Sequence, residues 1–574
     1  MFLEKFLNLK KYIFLLIILF LGLFFRLEAL TNQPIHSDEE LPLVNRLDEF
    51  SGCYLLSFGN DYNKKYLVNK KECRGKIKKE ITVFENLSPF SLLITADDVR
   101  NNAILFSAKI SSQMTFAPLY TFVSSFLIND QDRFNNKIIQ LRFLSFILST
   151  LSIITLFMSL NIYFKDFVFS SFLTTFYSLG LMASTYGGIG FAYGTLTFFV
   201  SIQYILTTKV LKSPSKRNYV FLTFFNIISF YYDWSMVLFS LPIYLCLLVD
   251  LLQNNKDKNL LFKRLVSSGV VYSIFCFPGI FVFLIGFSDL LESSQTRNDI
   301  FKLGANENIF IDIFMRLKKI IFYNFSITSY KSINEIISII FLTSFFLGVA
   351  SVIKISLKRI KPEIIYVVSF LFLIFIGSFL GLQKFIPSRN SLIYCFPLLF
   401  IIGIGINTIF KNIKIHKEKI LSSLIIILII LSVHNNNYSI KFSNFWKDNK
   451  KIEKIRKIIN QNNIKTIVSY EYLVPWLILK EQNLHVKPQV LSYNKKNILL
   501  DFSKDEYPLV LILKNRDYPL KIDDVWNEFL SINKSKIKVS ELVTFKNSQR
   551  DLILWNSSVN IERDDIKLIL IERK

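Results

Sequence analysis

Residues 12–30 read YIFLLIILFLGLFFRLEAL. A hydrocarbon core about 30 Å thick is crossed by about 20 apolar helical residues rising 1.5 Å each, so this stretch predicts a transmembrane helix. Lys5, Lys10 and Lys11 ahead of it resemble the basic start of a secretory signal. Phe24-Phe25-Arg26-Leu27 offers no small-residue cleavage site, which makes the segment a retained anchor.

Runs of this kind recur along the chain. Counting the first, eleven lie near 12–30, 143–164, 167–186, 189–208, 218–232, 235–253, 266–287, 335–357, 363–382, 391–410 and 419–434. The 574 residues are 51% hydrophobic and include 58 Phe, more apolar surface than a soluble core can bury. The expected fold class is a polytopic α-helical membrane protein of about eleven transmembrane helices.

The short loops set its orientation. With a cytoplasmic N-terminus, the inner loops hold Lys165, then Lys209, Lys212, Lys216 and Arg217, then Lys256, Lys258, Lys263 and Arg264. Lys358, Arg359 and Lys361 follow, then Lys411, Lys414, Lys417 and Lys419. Outer loops are nearly bare: 187–189 has no charge, 233–234 only Asp233, and 383–390 only Lys384 and Arg389. This positive-inside pattern places loops 31–142 and 288–334, and everything after 434, outside the cytoplasm. A multi-pass protein of a cell (inner) membrane with a periplasmic C-terminal domain is expected, since no eukaryotic sorting signal is evident.

The net charge of +24 invites a nucleic-acid reading. Inner-loop cations beside anionic lipid explain much of that excess, and no basic helix interleaved with stacking aromatics is present. Membrane lipids, not nucleic acid, are the expected partners of those charges. Five Cys are too few for a disulfide scaffold: Cys246, Cys276 and Cys395 read as inert packing residues. Cys53 and Cys73 share the first outer loop, where a bridge is chemically permitted but not required.

Three segments lie outside the apolar runs. Loop 31–142 is too long for a passive connection, and its apolar end from Met114 to Leu127 suggests a helix at the interface. In loop 288–334, Ile309, Phe310, Ile313, Phe314, Leu317, Ile320 and Ile321 recur at helical spacing against Asp312, Arg316, Lys318 and Lys319, an interfacial amphipathic helix. Residues 435–574 read as a small soluble α/β domain: helices near 448–462 and 523–531, strands at Thr466–Tyr470, Leu509–Leu513, 536–545 and 566–571. The domain division is therefore 1–434, transmembrane with its outer loops, and 435–574.

Asp38 and Glu39 are the first candidates for chemistry. An acidic start to a solvated loop is the plainer explanation of Asp38-Glu39-Glu40. Their position favours function: the pair follows a membrane helix by about eight residues, where a lipid-linked substrate presents its head group. A carboxylate there can take a proton from an attacking hydroxyl or amine.

The order of apolar anchor, Arg26, Pro34, Asp38-Glu39, Ala117-Pro118-Leu119-Tyr120 and Arg142-Phe143-Leu144-Ser145 resembles the C-type (GT-C) glycosyltransferase superfamily. The nearest branches are the protein O-mannosyltransferase-like and aminoarabinose-transferase-like enzymes. Ser388-Arg389-Asn390-Ser391-Leu392-Ile393-Tyr394 is similar to a further stretch of that family. The resemblance implies transfer of a sugar from a polyprenyl-phosphate donor to a lipid, protein or glycan acceptor of the cell envelope, with inversion and Asp38 as base. Glu39 would share the catalytic carboxylate site. Arg389 and Lys384, cations in a charge-poor outer loop, would hold the departing phosphate; snorkelling toward lipid phosphate is their other explanation. Arg26, Tyr120 and Asp233 are candidates to line the site, and Arg26 could equally orient the Asp38 loop.

The chain departs from the family at Ser184–Tyr193, which lacks the second carboxylate that several branches carry at that outer turn. Asp233 is the nearest substitute, although a turn residue facing water explains it as well. With four scattered His, no metal ligand cluster is expected, and a divalent cofactor is unsupported. Two rival readings are a transporter or flippase of lipid-linked saccharides, which calls for buried mid-helix charge, and a non-enzymatic membrane scaffold.

Overall fold

A computed structural model describes residues 2–32, 52–56, 66–69, 92–95, 118–127, 134–190, 192–253, 258–301, 309–328, 330–358, 362–379, 389–412, 417–434, 449–469, 487–490, 507–514, 537–545 and 566–574. The chain forms two compact units, Met1–Gln33 with Ile110–Ile440, and Pro34–Lys109 with Lys441–Lys574.

The first unit is helical. In chain order its helices are α1 Phe2–Asn32, α2 Pro118–Leu127, α3 Phe134–Phe164, α4 Phe167–Ser178, α5 Leu181–Gly187, α6 Leu196–Lys212 and α7 Lys216–Tyr232. Then come α8 Val237–Gln253, α9 Lys258–Phe301, α10 Ile309–Phe325, α11 Lys331–Lys358, α12 Pro362–Phe379, α13 Cys395–Asn412 and α14 Lys417–His434. Short 3-10 turns at Ala192–Thr195, Trp234–Met236 and Arg389–Tyr394 lead into α6, α8 and α13.

Each expected apolar run contains a helix, but fewer than eleven qualify as full crossings. Among the described residues seven helices are long and apolar enough, or eight if one bent pair is a single span. That pair is α4 and α5, where the run 167–186 breaks by 63°. Leu179 and Gly180 form the break: a Cβ on Gly180 would lie 2.6 Å from the Phe176 carbonyl and 3.1 Å from that of Asn324. Of the others, α7 has only 17 residues and α14 opens on Lys417-Glu418-Lys419, which shortens the apolar part. The protein is a multi-pass membrane protein by the number and apolar length of these helices.

Helix packing uses small residues. A Cβ on Gly348 would collide with the Ile401 carbonyl, and one on Gly405 with that of Ser344, so α11 and α13 approach backbone to backbone as small-residue membrane interfaces do. The cation-rich turns come together in pairs. Lys417 Nζ bridges Asp166 Oδ2 at 3.0 Å, reaches Asn407 Oδ1 at 3.0 Å and lies 4.4 Å over the Phe169 ring. Arg264 donates to the Pro214 carbonyl. The expected amphipathic helix is α10: Leu317, Ile320 and Ile321 are buried while Phe310, Ile311, Phe314 and Met315 stay exposed.

The second unit holds two sheets. β1 Gly52–Leu56 lies between β2 Tyr66–Asn69 and β3 Leu92–Thr95, both antiparallel to it. β4 Thr466–Ser469, β5 Lys487–Val490, β6 Leu509–Lys514, β7 Ile537–Phe545 and β8 Ile566–Arg573 form a mixed sheet in the order β5-β4-β6-β8-β7. β4 pairs parallel with β5 and β6, whereas β8 is antiparallel to β6 and β7. Helix α15, Asn449–Gln461, buries Ile455 and Ile459. Leu568 through Ile571 are four consecutive buried residues of β8, so both faces of that strand are covered. The helix expected near 523–531 and the partner Cys73 of Cys53 fall outside the described residues.

Candidate functional site

The first and last turns of a helix leave backbone groups unsatisfied, and in a membrane each needs a partner. Four helix ends, those of α1 and α4 and both ends of α5, find these partners in other elements. Arg142 Nη1 donates to the Leu30 carbonyl, in the last turn of α1, at 3.1 Å. Arg26 Nη1 donates to the Ser178 carbonyl at the end of α4 (3.0 Å) and to Gly22 O (2.9 Å). Ser149 Oγ donates to the Gly187 carbonyl that ends α5 (3.1 Å). The amide of Leu181, which opens α5, donates to Ser326 O at 2.9 Å. A cation at a helix C-terminus also meets the negative end of the helix dipole.

Both arginines are buried, Arg26 at 0% and Arg142 at 1% exposure. Arg26 lies 5.4 Å over the Tyr177 ring, and its Nε and Nη2 have no hydrogen-bond partner among the described residues. Tyr177 Oη shares a 2.6 Å hydrogen bond with Ser152 Oγ and donates to Gly194 O at 3.3 Å.

The two short motifs at the end of the first outer loop meet directly. Ser145 Oγ donates to Tyr120 Oη at 3.2 Å, and Tyr120 Oη donates to Leu141 O at 3.2 Å. The Tyr120 ring packs edge-on against Tyr232 at 5.8 Å, whose hydroxyl receives Thr195 Oγ1 at 3.0 Å. α2 starts at Pro118, where the missing amide proton costs nothing in a first turn. The chain thus joins Tyr120, Ser145, Thr195 and Tyr232 beside the turn that carries Asp233.

Asp233 ends α7 and opens the Trp234–Met236 turn, its Oδ1 accepting from Ser235 N at 2.8 Å and from Ser235 Oγ. It is half-buried. Burial pushes its carboxyl above the ordinary range, and the Ser235 hydrogen bonds pull it part of the way back.

The backbone of Arg389 opens the Arg389–Tyr394 turn. Ser391 in that turn is held by Asn324 of α10, with Asn324 Nδ2 donating to Ser391 O at 2.8 Å and Ser391 Oγ donating to Asn324 Oδ1 at 2.7 Å. Thr197 Oγ1 adds a bond to Leu392 O at 3.1 Å. Asp38, Glu39 and Lys384 lie outside the described residues.

Gly187 and Gly188 of the Ser184–Tyr193 stretch leave no room for a side chain. A Cβ on Gly188 would collide with the Leu30 amide and lie 2.7 Å from Ala29 atoms, and one on Gly187 would lie 2.6 Å from Ser149 Oγ. Among the described residues no three His, Cys, Asp or Glu lie together to hold a metal ion.

Ser149, Thr195, Tyr177, Tyr232 and Asn324 were not among the sequence candidates. A signal for Ser149 existed: Ser145, Ser149, Ser152, Thr155 and Ser159 recur at helical spacing on α3, and all are buried.

No protein-family model and no curated protein matches this chain. The crystal structure of the Archaeoglobus fulgidus oligosaccharyltransferase in complex with Zn and sulfate aligns at a TM-score of 0.42 and 10% identity, over 82% of this chain and 62% of that one. The apo crystal structure of ArnT from Cupriavidus metallidurans aligns at 0.42 and 10% identity, over 81% of this chain and 92% of that one. The chain thus spans less than two thirds of the archaeal enzyme.

Proposed function

We propose that this protein is a membrane glycosyltransferase that moves a sugar from a polyprenyl-phosphate donor to an acceptor on the outer side of a cell membrane. One observation carries the reading. The motifs that resemble the C-type superfamily, far apart in sequence, converge on the end of α1: Arg142 holds Leu30 at 3.1 Å, and the chain reaches Asp38 eight residues later. Tyr120 and Ser145 of the same motifs bond to each other beside it.

In this reaction the Asp38 carboxylate takes the proton of the acceptor hydroxyl or amine as that atom attacks the anomeric carbon. The bond from that carbon to the phosphate oxygen breaks on the opposite face, so the configuration inverts. Polyprenyl phosphate leaves with the electron pair, and Asp38 returns its proton to water. Glu39 supports the base, and Arg389 with Lys384 stabilises the charge that grows on the phosphate. Arg26, Tyr120 and Asp233 are the further residues assigned to line the site. The donor sugar is of the mannose or related hexose and pentose class, and the acceptor is a lipid, protein or glycan.

The cation-bearing turns face the cytoplasm, a side assignment supported by the pairing of Lys417 with Asp166 and of Arg264 with Pro214. Residues 435–574 then form a periplasmic domain and 1–434 the membrane part. A transporter would use its buried charges along a pathway; here Arg26 and Arg142 both donate to carbonyls near the ends of helices.

Purified wild-type and Asp38→Asn protein in lipid, given polyprenyl-phosphate sugars and cell-envelope extract, test this function. Release of polyprenyl phosphate by the wild type alone is expected. Equal release by both removes Asp38 as base, and no release by either folded protein returns the transporter and scaffold readings.

A further inference from the structure

We infer that Asn324 is a positioning residue for recognition of the donor phosphate, acting through the turn that begins with Arg389. This rests on the phosphate role proposed for Arg389. Asn324 is the penultimate residue of α10, is fully buried, and spends its amide on one neighbour. Its Nδ2 and Oδ1 both engage Ser391, at 2.8 and 2.7 Å, two residues after Arg389.

A reciprocal pair of this kind fixes position and rotation together, because one bond grips the backbone and the other the side chain. The surroundings leave the turn no second place to sit. Ser391, Leu392, Ile393 and Tyr394 are all buried. Thr197 holds the Leu392 carbonyl from α6, and the Asn324 carbonyl stands 3.1 Å from where a Gly180 Cβ would be. The backbone of the turn that Arg389 opens is thus held by Asn324. The class of ligand is a phosphate ester at the membrane surface, which both a polyprenyl phosphate and an ordinary phospholipid head group present.

The test is a double-mutant cycle on the full-length protein in nanodiscs, read as the Kd for polyprenyl phosphate, with phosphatidylglycerol as competitor. The variants are Arg389→Ala, Asn324→Ala and the pair. Asn324→Ala is expected to weaken binding about tenfold, the scale of one displaced polar contact, in the wild type but not in the Arg389→Ala background. Equal weakening in both backgrounds, or none in the wild type, overturns the inference while leaving Arg389 its role. If Arg389→Ala itself changes nothing, or only phosphatidylglycerol is lost, the phosphate reading beneath it fails instead. Should Asn324→Ala not fold, Ser391→Ala and Asn324→Asp each remove one of the two bonds, and the same non-additivity is expected from them at smaller size.

Discussion

Arg142 donates to the carbonyl of Leu30 at 3.1 Å across 112 residues, so the second long helix of the membrane unit holds the last turn of the first. The bond reaches an orphan carbonyl from a side chain that is itself buried. Arg142→Ala strands that carbonyl at a cost of about 1–3 kcal/mol and loosens the chain leading to Asp38. Transfer is expected to fall more than tenfold while the protein still folds. Arg142→Ala activity equal to wild type, measured as release of polyprenyl phosphate, would sink the link between this clasp and the site.

Tyr120 offers a cleaner separation of ring and hydroxyl. Tyr120→Phe keeps the edge-on packing against Tyr232 but removes the partner of Ser145 and the donor to Leu141. A loss of about 1 kcal/mol is expected, against about 3 kcal/mol or more for Tyr120→Ala, which also removes a buried ring. Unfolding in detergent by denaturant compares the two, and equal losses would mean that the ring contributes nothing.

Asp233 gives a pH dependence with a definite sign. Burial raises its carboxyl in the folded protein above its unfolded value, so between the two the native state holds the proton more tightly. Folding stability from this group therefore declines as pH rises through the range above about 4. The Tm of wild type relative to Asp233→Asn is expected to fall as pH rises above about 4. A difference that stays constant with pH contradicts the burial.

The glycines separate close approach from mere absence of a side chain. A Cβ at Gly405 would collide with the Ser344 carbonyl, whereas one at Gly269 meets nothing within 4 Å. Gly405→Ala is expected to destabilise by about 1–3 kcal/mol. Gly269→Ala, on an open face of α9, is expected to be neutral or stabilising by up to about 1 kcal/mol through helix propensity. Thermal unfolding in one detergent ranks them, and the reverse order would refute the packing of α11 on α13.

What could be read in advance follows from how local each cause is. Apolar length is local, so the runs at 12–30 and 143–164 announced α1 and α3, and helical spacing announced α10. The break at Leu179 and Gly180 was hidden because composition is apolar straight through it. Its cause lies elsewhere in the chain, where Arg26 takes the Ser178 carbonyl and Ser326 takes the Leu181 amide. Within the site, Arg26 and Tyr120 were legible as motif residues, but their partners were not, since the bond from Arg26 to Ser178 spans 152 residues. Asn324 had no signal, being one polar residue at the end of an amphipathic helix.

The sidedness of the protein is open to a direct experiment. Lys417 and Asp166 share a salt bridge, so the 165–166 turn and the start of α14 lie at one end of the membrane unit, the end proposed above to be cytoplasmic. Single cysteines placed at Lys165 and Lys419 should resist a membrane-impermeant thiol reagent added from outside. Cysteines at Asp38 and in the tail beyond His434 should react. Helix connectivity ties these outcomes together, because α1 and α3 must then cross in opposite directions with Leu30 and Arg142 at the same outer end. Labelling at Lys165 with protection at Asp38 would invert the protein and move the Asp38 carboxylate to the cytoplasm, where a donor presented on the outer face could not meet it.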